Sequence, residues 1–427
     1  MFYDHLLKPE ELEYRNKVRQ FVKGVSPELL RRMDLDQIEF PKEFYKEMGK
    51  EGLLGARFPK KYGGSGLSWV AEAAALEEIG VLGMALACVY SMPPIVGEGI
   101  NKFGSEEQKQ KYLKPLLAGD LVSAEALTEP RGGSDFFGAT SAAKLEGNYF
   151  ILNGQKRFTV GAKGADFFLV YCKTNFDPDA HKYRKLSVLL VDRDMGVQVD
   201  SLYGLLGSRG TGTGRLSFHG IKVPRENLLG GMNDGALIFN TMMVPERMTS
   251  AVGSLGLARA ALEIATRYTD RRMAFGQEIR HWQGVSFEVA DAITKLDAAR
   301  GLVYLVASHL DAGLDSRRLV SEAKHFATEA CWQITNTAMV IMGGISYTDL
   351  YPIEKMVRDA RLAQIRTGSE NVMRMLIQHE YYKELLSQGD IYRSSEQDAT
   401  NTHGMIEEEK VYADTDQEKL QAMTAMK

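Results

Sequence analysis

The chain is short of several things, and each shortage narrows what it can be. Cysteine occurs three times in 427 residues, at Cys88, Cys172 and Cys331. That odd, scattered set makes no disulfide framework and fits a reducing compartment. The eight histidines show no paired spacing, so no metal site is expected. Positive charge is not in excess either. The formal net charge of -4 at pH 7 argues against nucleic acid or an anionic membrane surface as a partner. No basic stretch leads into an apolar run near the N-terminus, so no signal peptide is visible. The longest apolar stretch, Val81–Val96, is interrupted by Gly83, Ser91, Pro93 and Pro94 and is too short to span a bilayer. A soluble cytoplasmic protein with no membrane partner is the expectation.

Familiar site motifs are missing too. The run GSRGTGTG, Gly207–Gly214, lacks the lysine-serine/threonine ending of a phosphate loop and has no helix after it. A dinucleotide GxGxxG in a strand–helix setting is absent, and so is a GxSxG nucleophile elbow.

What remains is an ordinary globular composition, 44% hydrophobic and 25% charged, in a chain long enough for two or three domains. Helical periodicity dominates residues 1–122. Leu12, Val18 and Phe21 mark one helix, FPKEFYKEMGKEGLL another, and WVAEAAALEEIGVLGMALA a long alanine-rich one. Ser105 reads as an N-cap, with Glu106 and Glu107 in the first turn. Residues 123–234 change texture, to short β-branched and aromatic runs such as YFILNG, DFFLVYCKT and KLSVLLVDR. No helical segment separates them, so an antiparallel β domain is expected. Helical periodicity returns over 235–386, where Gly343-Gly344 and Pro352 are the strong breaks. Residues 387–427 form an acidic, polar tail, either mobile or laid over a neighbour. The reading is α, then β, then α.

One stretch of the last helical part organises the rest: MMVPERMTSAVGSLGLARAALEIATRYTDRRMAFG, Met242–Gly276. Met248, Val252, Leu255 and Leu262 fall on one apolar face of a long amphipathic helix. Ser250 and Gly253 are small and leave room for something to lie against it. Pro245 and Glu246 read equally well as a helix start, with Glu246 and Arg247 at its head.

Five segments in order resemble the acyl-CoA dehydrogenase family of flavoproteins, over roughly Glu11 to Glu384. They are ALTEPRGGSD (Ala126–Asp135), NGQKRFTVGAKG (Asn153–Gly164), KVPRENLLG (Lys222–Gly230), Arg272–Gly276 with Gln283, and GGISYTDLYPIEKMVRDAR from Gly343. The resemblance implies a mainly α fold with a central β domain in an α–β–α three-domain architecture, and FAD as cofactor. It places Ala126, Leu127 and Thr128 on the flavin ring, Ser134 near both cofactor and thioester, and Phe158 stacked at the flavin in place of a usual tryptophan. Thr159 precedes Val160, which stands where a threonine or serine usually bonds the flavin. Arg272, Phe275, Gln283 and the segment with Val340, Gly343 and Gly344 would reach a partner subunit's cofactor, with Ser369 and Asn371 at its adenosine half. Val340 replaces a usual glutamine, and Ser346 interrupts a usual glycine. A homotetramer follows from such sharing, with an electron-transferring flavoprotein as acceptor.

Most of the family carries its catalytic glutamate after the RDA segment, where this chain has Thr367 in QIRTGSENVMR. A hydroxyl cannot be the base at neutral pH. The isovaleryl-CoA and long-chain branches place the carboxylate directly before the CoA-binding arginine instead. Glu246 stands directly before Arg247, so Glu246 is the expected base, Arg247 and Ser134 bind the acyl-CoA, and Thr367 offers its backbone N–H. Arg366 replaces a usual aromatic of the acyl pocket. It is either a structural arginine paired with an acid or the receptor of a second carboxylate, as on an aryl-succinyl-CoA. A flavin monooxygenase on the same fold would need no base, against the Glu246-Arg247 pair. A non-catalytic nucleic-acid-binding relative would need a basic C-terminal surface, whereas this tail is acidic.

Overall fold

Short polar residues ahead of apolar runs start the N-terminal helices. Ser26, Ser68 and Ser105 each accept a first-turn backbone N–H, at 3.2, 3.0 and 3.2 Å. The computed structural model describes residues 3–387 except Asp315, together with Arg393 and Asp398. The rest of the acidic tail lies outside the described residues. The chain divides into two units, Met1–Ile377 and Gln378–Lys427, and the fold and site below belong to the first. Of the second, the described residues include the end of a helix and an Arg393–Asp398 ion pair at 2.9 Å.

The first unit opens with α1 (Pro9–Gly24), α2 (Pro27–Asp34), α3 (Lys42–Lys50), α4 (Trp69–Gly80), α5 (Met84–Phe103), α6 (Glu106–Gln108) and α7 (Lys114–Leu117). The expected single alanine-rich helix is thus two helices. The chain turns at Val81–Gly83, where Gly83 at φ +110° begins α5. Helix α5 runs through Pro93 and Pro94 and is buried from Met84 to Ile100, so the long apolar stretch is a core helix. No helix among the described residues is long and apolar enough to cross a membrane.

Strands β1 (Ser123–Ala126), β2 (Ala142–Glu146), β3 (Tyr149–Thr159), β4 (Phe167–Lys173), β5 (Leu186–Asp192), β6 (Gln198–Leu202), β7 (Gly214–Pro224) and β8 (Leu228–Leu229) form one sheet. Their order is β6-β7-β3-β2-β4-β5-β8, with β1 beside β4. The sequence leads to the expectation of an antiparallel sheet, but the sheet is mixed. β1 runs parallel to β4, from Ser123 opposite Phe167 to Ala126 opposite Val170, and β2 meets β4 in parallel at Ala142. The β2–β3 hairpin supplies the crossover that a helix would otherwise provide. Alternation sorts the side chains. Ala124, Ala126, Phe168, Val170 and Cys172 fill the sheet's own core, while Phe167, Leu169 and Tyr171 join the helical core. By the same period of two, Ser123 and Glu125 face the helices.

The C-terminal part contains α8 (Gly235–Arg271), a small hairpin of β9 (Met273–Ala274) and β10 (Gln277–Glu278), then α9 (Gln283–Asp311), α10 (Arg317–Met342), α11 (Ile353–Ala363) and α12 (Glu370–Ser387). The hairpin and the turn at Gly313 (φ +70°) are breaks beyond the two expected. Helix α8 also begins earlier than expected. Apolar Ala236–Met243 already carry it, Pro245 lies inside, and Glu246 with Arg247 sit about three turns in rather than at its head. Nor does it show one apolar face, since every residue from Arg247 to Arg259 is buried. A helix enclosed on all sides is a central one. Its small face receives α4: a Cβ on Gly80 would lie 2.7 Å from the Gly253 carbonyl oxygen and 2.9 Å from the Gly256 Cα.

Buried acids of α4 are matched by cations from its neighbours. Arg259 meets Glu78 and Arg300 meets Glu77, each at 3.0 Å, and Arg57 holds Glu72 at 2.9 Å. The glycine-rich run Gly207–Gly214 has a structural task. Ser208 N–H donates to the fully buried Asp359 of α11 at 2.6 Å, and Asp359 also accepts from Met84 N–H and Lys355. The RDA segment thereby ties the sheet's last loop to the start of α5.

Candidate active site

Cys88 lies in buried α5. Burial raises its thiol's pKa, with the charge of Arg366 opposing and those of Asp359 and Glu246 adding to it. Arg366 Nη1 donates to Cys88 Sγ at 3.0 Å, and Nη2 lies 3.8 Å from Met84 Sδ. Sulfur is a weak acceptor. Among the described residues Arg366 has no carboxylate partner, and its buried Nε has no hydrogen bond. Among the described residues, then, the structural alternative of an arginine paired with an acid finds no acid to pair with.

Thr367 follows in the left-handed region at φ +55°, eased by Gly368 after it, and its hydroxyl lies 3.1 Å from Ser250 Oγ of α8. Thr367 is thus brought against the helix that carries Glu246. Arg247, next to Glu246, is buried. Its Nη1 donates to Ser321 Oγ at 3.2 Å, while its Nε has no partner among the described residues. Burial, then Arg317, lower its pKa to about 10, with Glu246 opposing. Lys324 of α10 is pushed down to about 7 by burial and by the charges of Arg366 and Arg247. Lys324 donates to the Gly368 carbonyl at 3.0 Å and to Glu370 at 3.1 Å, so the buried donors left without a partner here are the Nε groups of Arg247 and Arg366, and these can take an anion.

Sequence reasoning missed Glu125 of β1. Burial holds its carboxyl well above the usual range, and the charge of Glu246 adds to this, against that of Lys156. The available signal was an acid in SAEA, a small-residue strand otherwise buried.

The expected flavin residues form a second cluster beside the first. Lys156 Nζ donates to Leu127 O at 3.1 Å and Arg157 N–H to Thr128 O at 2.8 Å, which sets the end of β1 against the end of β3. Phe158, at φ +56°, is turned outward and 51% exposed, with Tyr203 at 4.9 Å. Ala126 turns its methyl into the sheet core, and Thr159 is buried with a partnerless hydroxyl. Val160 packs on the helical core, and Ser134 is exposed. An outward aromatic ring beside half-buried Leu127 and Thr128, with Arg157 Nε buried and unpaired, fits a flat heteroaromatic cofactor.

Arg272, Phe275 and Gln283 are not part of this cluster. They lie on the far end of α8, roughly 38 Å along the helix from Arg247 at 1.5 Å per residue. Phe275 is 92% and Val340 75% exposed, and Gly343 and Gly344 are exposed as well. Ser369 is half-buried beside Thr367, and Asn371 is exposed at the start of α12.

Residues 8–120, 124–221 and 233–382 match the family models described as the N-terminal, middle and C-terminal domains of acyl-CoA dehydrogenase. The chain belongs to the acyl-CoA dehydrogenase family. It is an FAD-dependent oxidoreductase acting on CH–CH bonds, and an acyl-CoA is its substrate. It is 37% identical to an acyl-CoA dehydrogenase of Bacillus subtilis, over 86% of this chain and 97% of that one. It is 34% identical to a subunit of the caffeyl-CoA reductase-Etf complex of Acetobacterium woodii, over 86% and 97%. A solved glutaryl-coenzyme A dehydrogenase in complex with glutaryl-CoA superposes with a TM-score of 0.84 at 32% identity, covering 88% of this chain and 96% of that one. In this acyl-CoA dehydrogenase family member, the signature acid Glu129 is structural. It accepts from Lys156 and from Thr140 and Ser141 and fixes the wall on which Thr128 and Phe158 stand.

Proposed function

We propose that the protein catalyses α,β-dehydrogenation of an acyl-CoA thioester, with Glu246 as the base that takes the α proton. The observation that carries this is that Ser250, one turn after Glu246 on the same face of α8, meets Thr367 at 3.1 Å, next to Arg366, which has no acid partner among the described residues. Thr367 supplies no base, and its place against Ser250 keeps its backbone close to Glu246's helix. Removing the α proton of a thioester requires a carboxylate held in reach of that carbon. The backbone N–H of Thr367 stabilises the enolate oxygen as charge develops there. Bound FAD supplies the hydride acceptor. Leu127, Thr128 and Phe158 position the ring, while Arg247 and Ser134 position the thioester.

Arg366 extends the reading to the acyl group: the substrate bears a second carboxylate, as in an aryl-succinyl-CoA, rather than being a plain short or branched acyl chain. Support comes from the buried Nε groups of Arg366 and Arg247, which have no partner among the described residues, and from the likeness to a dehydrogenase solved with glutaryl-CoA. Electrons pass onward to an electron-transferring flavoprotein, in keeping with the relative that forms a reductase-Etf complex. The exposed Arg272, Phe275, Gln283, Val340, Gly343 and Gly344 serve the cofactor of a neighbouring subunit in a homotetramer, since Arg272, Phe275 and Gln283 stand beyond the end of α8 that lies farthest from Glu246.

The test is anaerobic flavin bleaching by acyl-CoA. Glu246→Gln keeps FAD bound and loses nearly all bleaching. Near-normal reduction by that variant removes Glu246 as base.

A further inference from the structure

The geometry points to Lys324 as a positioning residue for the reaction: by donating to the Gly368 carbonyl it fixes the turn that carries Arg366 and Thr367. This rests on the reading that the Thr367 N–H serves the thioester oxygen. The turn leaves α11 after Ala363 and closes at the start of α12, where the Glu370 N–H donates to the Gln364 carbonyl at 3.2 Å. Inside it Thr367 stands at φ +55° and Gly368 at φ +89°. Glycine takes such angles freely. Threonine is branched at Cβ and takes them at a cost of about 1–3 kcal/mol. A residue kept there against its preference needs surroundings that keep it.

Helix α10 supplies them. The Lys324 side chain is fully buried, and its Nζ donates to the Gly368 carbonyl at 3.0 Å and to Glu370 Oε1 at 3.1 Å. Glu370 is fixed in its turn by the same helix. Its Oε1 also accepts from Thr328 Oγ1 at 2.7 Å, and its Oε2 meets His325 Nδ1. One turn of α10 thus grips both the carbonyl of the turn and the first residue of the helix after it. Two N–H bonds from Lys324 are enough, so the grip holds in either protonation state of the amine. On the opposite side Thr367 Oγ1 lies 3.1 Å from Ser250 Oγ of α8. The Thr367 N–H itself is open: among the described residues no backbone carbonyl accepts it.

The grip has a chemical use. An N–H stabilises a developing enolate oxygen best when it is already aimed, because no free energy is then spent turning it during the reaction. Without Lys324 the Gly368 carbonyl loses its donor, and Thr367 relaxes toward ordinary backbone angles. That turns the Thr367 N–H away and shifts Arg366 beside it. A displacement of about 1 Å at such a place costs about 10²-fold in rate. Lys324 acts through the backbone of the turn.

The experiment uses the FAD-loaded enzyme as wild type, Lys324→Met, Thr367→Asn and the double variant. Two readouts are taken at one pH. One is anaerobic bleaching by saturating glutaryl-CoA. The other is the enolate absorbance of bound acetoacetyl-CoA, which needs the same oxygen stabilised but no hydride transfer. Lys324→Met lowers both together by about 10²-fold. Asparagine takes the left-handed region more easily, so in the Thr367→Asn background the same lysine change costs much less. Equal costs in the two backgrounds assign the loss to the lysine's charge and overturn the positioning role. Both readouts at the wild-type level in Lys324→Met overturn it too, while an intact wild-type enolate leaves the reading of Thr367 standing. A wild type that forms no enolate removes that reading, and the inference with it. If Lys324→Met does not retain FAD, Glu370→Ala decides: it takes away the second partner of Lys324, and both readouts fall by about tenfold. Either one at the wild-type level overturns the inference.

Discussion

Replacing Glu129 by alanine takes away one carboxylate and leaves four donors facing a cavity. The carboxylate, 3% exposed, accepts from Lys156 Nζ at 2.9 Å, Thr140 N–H at 2.6 Å, Thr140 Oγ1 at 2.7 Å and Ser141 N–H at 3.0 Å. Lys156 is fully buried, so the variant strands an ammonium with only the Leu127 carbonyl for company. Removing one partner of such a pair typically destabilises by about 3–5 kcal/mol. Burial already lowers the Lys156 pKa, so the stranded group sheds its proton and the lower end, about 3 kcal/mol, is expected. In a unit of this size that lowers Tm by roughly 4 °C by calorimetry. FAD content falls as well, because Thr128 and Phe158 lean on the same wall.

The pH dependence gives a second reading of the same pair. Burial pushes the Glu129 carboxyl up, but Lys156 and the two Thr140 donors outweigh it and bring it to about 2. A carboxyl depressed from about 4.3 stabilises the fold above that pH, and the contribution disappears as pH falls from about 4.3 through about 2, some 3 kcal/mol in all. The variant therefore shows a shallower loss of stability across that window. A Tm within about 1 °C of wild type, with an unchanged acid slope, would refute the assignment of Glu129 as a structural partner of Lys156.

Further outcomes follow from the site and the core. Arg366→Ala loses roughly 10²-fold in kcat/KM on carboxylated acyl-CoAs and much less on isovaleryl-CoA, about 2–3 kcal/mol for a charge-assisted contact; equal losses on both would rule out carboxylate recognition. Lys324, held at about 7 by burial and by Arg366 and Arg247, regains basicity when an anion joins the cluster. Near pH 8, binding of a carboxylated acyl-CoA then takes up part of a proton, which titration calorimetry in two buffers reads; no uptake places the anion elsewhere. In the unliganded protein the same depressed lysine makes stability rise with pH between about 7 and about 10. Gly256→Ala drives a methyl into the Glu77 carbonyl and the Gly80 Cα, with a destabilisation of about 1–3 kcal/mol measured by Tm.

The layout of helices around a sheet was readable because its signals are local. Ser105 caps where its hydroxyl and the acids after it say it should, and the period-two runs of β4 and β5 became strands. What sequence patterning misjudged depends on the third dimension. Helix α8 was given one apolar face because Ser250, Gly253 and Gly256 look polar or small, yet small residues are what let a neighbouring helix close over that side. Glu246 and Arg366 stand out in the sequence for separate tasks, one as base and one at the acyl group, and nothing local relates two residues 120 positions apart. Glu125 gave no local signal strong enough, since an acid in a strand usually points to water. Its direction is set by β4, with which β1 pairs in parallel through a crossover that patterning did not foresee.

The glycine seam between α4 and α8 has a consequence for how the chain comes off the ribosome. Gly80 meets Gly253 and Gly256 with almost no space between backbones, so nothing else can substitute for that lid. Roughly 180 residues must be translated before the lid exists, about ten to thirty-five seconds at ordinary elongation rates of 5–20 residues per second. Throughout that interval Val70–Gly80 and Met84–Ile100, all buried in the finished protein, wait with their greasy sides open. Nascent chains at this stage are natural clients for a holding chaperone, and slow decoding between the two helices would lengthen their exposure.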